Sequence, residues 1–193
     1  MRTRILTAAL VLTVVAALGM EAAAQGRGGG RGGGRGGFSL PPLLMETDAF
    51  EDGGIIPQMY AGRGGVQPGF TFSNAPENTA SYAIIFHDID VALGGTDDVL
   101  HWYVWNIPAS AEGIPEGSLP EGSVSGTGGI SGGAYFGPGA PAGPRYHHYV
   151  FELYALSAML DIPASSTRAE LLAAMNPIVV AKAAYVGRFR GSE

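Results

Sequence analysis

Gly137-Pro138-Gly139-Ala140-Pro141-Ala142-Gly143 runs, after three residues, into His147-His148-Tyr149-Val150-Phe151-Glu152-Leu153-Tyr154-Ala155-Leu156. From His148 to Leu156 this is a short apolar run crowded with aromatic and β-branched residues, the strongest strand signal in the chain. Working outward, Ser81–His87 and Trp102–Ile107 carry the same signature, the second stopped by Pro108. Lys182–Phe189 reads as a closing strand and Phe70–Ser73 as a short early one. The clearest helix is Arg168–Met175, where Thr167 and Glu170 form a capping box and Asn176-Pro177 ends the pattern. A second helical turn is expected near Leu156–Leu160. Residues 113–144 are rich in Gly and Pro without periodicity, and a loop of that length usually serves a site. The fold class is therefore mostly β, with nonlocal strand pairing and one or two short peripheral helices.

The ends of the chain read differently from this domain. Arg2 and Arg4 precede the uncharged apolar stretch Ile5–Leu18, and Ala22-Ala23-Ala24 offers a small-residue cleavage pattern. Residues 1–24 are thus expected to be a secretory signal, giving an exported protein, periplasmic or secreted, with no membrane span in its mature form. The apolar stretch is short for a bilayer crossing. Residues 25–37 are an Arg/Gly repeat with almost no apolar side chains, expected to be a disordered basic arm. From Phe38 onward, six Lys and Arg face sixteen Asp and Glu, a net charge of −10. A surface that acidic repels nucleic acid, so contact with nucleic acid or an anionic surface is expected only through the arm. The chain has no Cys, which excludes both a disulfide framework and a lipid-attachment cysteine.

The chemistry gathers in two places. His87-Asp88-Ile89-Asp90 follows one strand, and His101 begins the next; His147 and Tyr149 follow the glycine loop, in a chain with only four His. In an extended segment Asp88 and Asp90 face the same way, so one carboxylate can meet a ligand while the other holds a histidine or caps a turn. His101 and His147 at strand ends can offer N–H donors to an anion. Gly137 and Gly139 let backbone amides approach one closely, and Pro141 shapes the rim. His87 and His148 flank better candidates and are read as packing or supporting residues. Asp97-Asp98 reads as a solvated turn, and Glu112, Glu116 and Glu121 as a solvated acidic loop. The same residues admit a metal set of Asp88, His101 and His147, with Asp90 orienting an imidazole, but no local ligand spacing supports it, and neither a metal nor a cofactor is expected. Gly122-Ser123-Val124-Ser125-Gly126 has Val at its centre, so it is no nucleophile elbow.

Taken in order, these motifs resemble the phosphatidylethanolamine-binding protein family, in its bacterial Raf-kinase-inhibitor-like branch. Asp88-Ile89-Asp90 is similar to the family's Asp-Pro-Asp, His101–Pro108 to its His-containing strand, Gly137–Gly143 to its Gly-x-Gly-Pro-Pro-x-Gly loop, and His147-His148-Tyr149 to its His-Arg-Tyr. The resemblance spans about Phe50 to Arg190. It implies an antiparallel Greek-key central sheet with a smaller second sheet, in a domain over residues 38–193. It also implies a pocket for a small anionic or phosphorylated ligand, with Asp88, Asp90, His101, Gly137, Gly139, Pro141, His147 and Tyr149 as its residues. Ile89, Ala140, His148 and Phe72 depart from the family pattern. An exported, non-catalytic binding protein is the leading reading; an acid–base or metal-assisted enzyme on the same residues, or a surface-acting enzyme inhibitor, are the alternatives. Oligomeric state is not legible in the sequence.

Overall fold

The computed structural model describes residues 42–92, 94–130 and 132–192, so the expected signal and Arg/Gly arm lie outside the described residues. Among the described residues nine strands and one α-helix follow in order: β1 Leu44–Glu46, β2 Gly54–Ile55, β3 Phe70–Ser73, β4 Ser81–Asp88, β5 Val99–Pro108, β6 Gly113–Ile114, β7 Val124–Ser125, β8 His147–Leu156, α1 Arg168–Met175 and β9 Val179–Phe189. They form a six-stranded sheet in the order β2-β9-β8-β4-β5-β7 and a three-stranded sheet in the order β1-β3-β6. The run β8-β4-β5-β7 is the Greek-key order, because the fourth strand returns beside the first. One edge departs from the antiparallel expectation: β2 pairs with β9 in parallel. Among the described residues no helix is long and apolar enough to cross a membrane.

β4 is buried along its whole length, which explains why its sequence is a continuous apolar run rather than an alternating one. Ile84 and Phe86 face the small sheet together with Phe151, Leu153, Phe70, Phe72 and Met45. Ala83 and Ile85 face the other way, against Tyr103, Trp105 and the α1 residues Leu171 and Met175. Phe86 and Phe151 are register partners, and their rings stack at 4.0 Å between centroids. α1 opens on the predicted capping box, with the Glu170 amide donating to Thr167 Oγ1 and the Thr167 amide to Glu170 Oε2.

The second predicted helical turn does not form. Past Leu156 the chain bends, the Ser157 amide donates to Ile178 O, and the Leu160 amide donates to Asn106 Oδ1 at 2.7 Å. Asn106, at φ 58°, returns a bond from Nδ2 to Leu160 O. Tertiary hydrogen bonds thus replace the local ones a helix would need. Residues 113–144 prove less irregular than their composition implies, since β6 and β7 fall within them.

Truncating Phe151→Ala removes the stack at the centre of the larger core and is expected to cost about 3–5 kcal/mol. Thr167→Ala, at the helix cap, is expected to cost about 1 kcal/mol. Urea unfolding of both variants, with the slope unchanged, checks this ordering.

Candidate functional site

Four of the predicted residues meet where β4, β5 and β8 end. β4 finishes at Asp88 and β8 begins at His147, and antiparallel pairing sets Asp88 opposite Tyr149. Asp88 Oδ2 lies 2.7 Å from His147 Nδ1, which fixes the proton on Nδ1 and leaves Nε2 as the nitrogen open to a ligand. His101 arrives by a bulge. Phe86 pairs with Trp102 and His87 with Leu100, so His101 is the extra residue and shares the inter-sheet side with Trp102. Its Nδ1 donates to Phe136 O at 3.0 Å and Gly137 O at 3.1 Å. Carbonyls only accept, so Nδ1 carries the hydrogen and Nε2 is the free lone pair of the neutral ring. Burial holds the His101 pKa below its ordinary 6.5, against the opposing pull of these carbonyls and of Asp88. The two imidazoles stand 5.3 and 6.5 Å from the Tyr149 ring.

Tyr149 organises the glycine loop. Its fully buried hydroxyl accepts the amides of Gly139 at 3.2 Å and Ala140 at 3.0 Å, leaving its own proton for the Asp88 carboxylate. Burial first, and the Asp88 charge second, raise the phenol's pKa, so it stays protonated. The Gly137 amide donates to Gly62 O. The amides at 137, 139 and 140 therefore serve internal acceptors, and the expectation that they face an anion is not what this geometry provides. Gly137 has another reason to be glycine: a Cβ there would lie 1.9 Å from Tyr60 O. Gly139 and Pro141 are exposed on the loop.

Asp90 parts from Asp88. The chain turns after β4, the Asp90 amide donates to Asp88 Oδ1, and strand alternation ends there. The Asp90 carboxylate takes the backbone amide of His148 and its Nδ1 at 2.8 Å, with Arg145 at 3.5 Å. Although burial raises the Asp90 pKa, His148 and Arg145 outweigh it and hold the group below the usual carboxylate range. The two carboxylates thus hold different histidines instead of sharing a face, and His148 is half exposed rather than packed.

Two residues read as solvated are engaged. Asp98 bonds His87 Nδ1 at 2.5 Å and Arg168 at the start of α1. Glu116 Oε2 accepts the Tyr60 hydroxyl at 2.8 Å. None of these three contacts has a local sequence signal, since the partners are 11, 70 and 56 residues away. A cleft of about 720 Å³ lined by Glu46, Asp48, Asp52 and Glu116, and one of about 290 Å³ beside Trp102 and Tyr135, include none of the predicted site residues. Among the described residues no three His, Asp or Glu side chains are grouped so as to hold a metal ion.

Comparison with known proteins agrees with the fold and with the family that the motifs resemble. Residues 46–190 match the family described as phosphatidylethanolamine-binding protein. A UPF0098 protein of Methanothermobacter thermautotrophicus is 34% identical over 152 residues, covering 76% of this chain and 97% of that one. A Mycobacterium tuberculosis protein named as a lipoprotein, LppC, is 36% identical over 153 residues, covering 78% of this chain and 73% of its own. The crystal structure of the PEBP homolog CT736 from Chlamydia trachomatis matches with a TM-score of 0.70 at 28% identity, over 78% of this chain and 99% of that one. The chain belongs to the phosphatidylethanolamine-binding protein family.

Two outcomes follow from this geometry. The His101 pKa is lowered in the folded state, so the unfolded chain binds more protons as the pH drops below about 6.5. The associated stability is complete above that pH and is lost as the pH falls toward the folded value. Thermal melts between pH 7.5 and 5 should show a decline that is shallower in His101→Gln. Tyr149→Phe leaves the Gly139 and Ala140 amides without their acceptor, and their hydrogen exchange is expected to accelerate by about 10- to 100-fold, equivalent to about 1–3 kcal/mol. Unchanged exchange at both amides would remove the loop-organising role.

Proposed function

We propose that this is an exported binding protein whose Asp88–His101–His147–Tyr149 site takes a small ligand bearing a phosphate or similar anion. The observation that carries the reading is the pair of imidazoles whose Nδ1 atoms are both committed to internal acceptors. Two Nε2 atoms are then offered from one neighbourhood. His147, backed by the Asp88 carboxylate, donates from Nε2 when protonated. His101, kept neutral by burial, accepts at Nε2. A donor beside an acceptor suits a phosphate monoester carrying one proton, whose second ionisation lies near pH 6. Pro141 and Gly139 form the exposed rim, and the loop contributes shape rather than amide donors. Asp90 supports the site by holding the start of β8.

Export is supported by the basic, apolar and small-residue succession over residues 1–24, and by the lipoprotein name of the Mycobacterium relative. The domain extends over residues 38–193 in this reading, with the Arg/Gly arm as a spacer between it and the signal. No cofactor or metal is required for binding of this kind.

Calorimetry with glycerol phosphate and phosphorylethanolamine tests the proposal. Binding should weaken at least about tenfold in His147→Ala, because a charge-assisted bond contributes about 1.5–3 kcal/mol. Absence of heat with either compound would sink it.

A further inference from the structure

The outer edge of β9 is only partly covered. β2 pairs with it at Gly187 and Arg188, the Gly53 amide donates to Val186 O, and Asp52 Oδ1 accepts the Val186 amide. Val186 and Arg188 therefore turn their backbone groups outward, and by strand alternation so do Ala184 and Lys182. The register against β8 is regular from Phe189 back to Ala181, so the alternation holds as far as Lys182. Among the described residues nothing bonds the outward backbone groups of Lys182 and Ala184, and both residues are exposed. A charged side chain commonly blunts such an edge, but here the Lys182 ammonium is turned to Glu152 on β8, at 2.6 Å.

Where the covered part of the edge ends, an acidic cleft begins. The chain leaves β9 at Gly53 and Asp52 and leads back to β1, whose Cα atoms come within 8 Å of those of β9. That connection walls the cleft of about 720 Å³. Asp52 belongs to both, lining the cleft and capping Val186, and Tyr185 lines the cleft from the position next to Ala184. Four exposed carboxylates face this space, Glu46, Asp48, Asp52 and Glu116, and none has a cationic partner among the described residues. The rings of Tyr60, Phe70 and Tyr185 stand among them. Burial first, and then the charges of Asp52, Glu46 and Glu51, raise the Tyr185 pKa, so these carboxylates act together on one wall. Unpaired carboxylates beside aromatic faces suit a guanidinium, which gives its N–H edge to the oxygens and its plane to a ring.

We propose that the β9 edge and this cleft form one docking site for an extended, arginine-bearing segment of another protein. The segment adds a strand beside Lys182 and Ala184, satisfying their amides and carbonyls, while its arginines enter the cleft. An extended peptide is favoured over a small polyamine because two kinds of unmet group lie together, main-chain donors and acceptors on the edge and carboxylates in the cleft. The net charge of −10 over the domain draws a cationic partner from a distance. The site is separate from the anion site, none of whose residues line the cleft.

The probe is a short capped peptide of alternating Arg and Thr, titrated into the full chain carrying R27Q, R31Q and R35Q so that the arm's own charge stays out of the measurement. Calorimetry at low salt should show binding that weakens at least about fivefold in E46Q with E116Q. Hydrogen exchange reads the edge directly. The Lys182 and Ala184 amides should exchange rapidly in the free chain and slow at least about tenfold at saturating peptide, while the Ala183 amide, which faces β8, does not change. The same peptide N-methylated at alternate residues cannot pair with an edge and should bind at least about tenfold more weakly. Ala184→Pro, which removes one outward amide and leaves the bonds to β8, should also weaken binding, with a thermal melt confirming that the variant folds. Slow exchange of both amides in the free chain, binding that protects neither, spermine binding as tight as the peptide, no loss in E46Q with E116Q, or no heat from the peptide at low salt would each overturn the proposal.

Discussion

β4 is the constraint on which the molecule turns. Its eight residues are buried on both faces, so both backbone edges need strand partners and both faces need apolar cover. β5 and β8 supply the hydrogen bonds, the small sheet covers one face, and α1 with the segment around Leu160 covers the other. The strand can end only where a polar group finds a partner, and it ends at Asp88. Register then sets Asp88 against the start of β8, where His147 and Tyr149 stand. The ionisable cluster is therefore a consequence of how the central strand terminates.

This dependence explains what was legible in the sequence. The strands and the capped helix were readable because each is declared locally, by apolar runs or by Thr167 and Glu170. Asp88, His101, His147 and Tyr149 could be grouped from their places at strand ends. Their partners could not be assigned. That His101 bonds the carbonyls of Phe136 and Gly137 depends on a one-residue bulge in β5, which no local pattern announces. Alternation was extended one step too far at Asp90, since period two holds only while the strand continues. Asp98 looked solvated because its two partners, His87 and Arg168, arrive from β4 and α1.

The His87 network on the far side of β4 illustrates the same separation of sequence and space. Lys182, Glu152, His87, Asp98 and Arg168 form a chain of contacts from β9 across β8 and β4 to α1. Lys182 holds Glu152, and Arg168 with His87 holds Asp98, so both carboxyls lie below the usual range although burial alone would raise them. His87 is thus a structural histidine, and the division of labour between His87 and His147 follows from their facing opposite sides of one sheet.

The departures from the family pattern acquire a physical reading at the site. Where the resemblance leads one to expect proline in the Asp-x-Asp motif, Ile89 carries an amide that donates to His148 O at 3.2 Å. Where the glycine loop would carry its first proline, Ala140 has an amide that donates to the buried Tyr149 hydroxyl at 3.0 Å. Proline stiffens a loop by fixing φ but has no N–H to give. Each substitution gives up that covalent stiffness and gains a hydrogen bond that ties its own segment, the β4–β5 turn or the glycine loop, to β8. One bond reaches His148, which also holds Asp90, and the other reaches Tyr149, the register partner of Asp88. The turn after β4 and the glycine loop are each held by an amide that proline would have removed, so the site's geometry persists while its signature residues change.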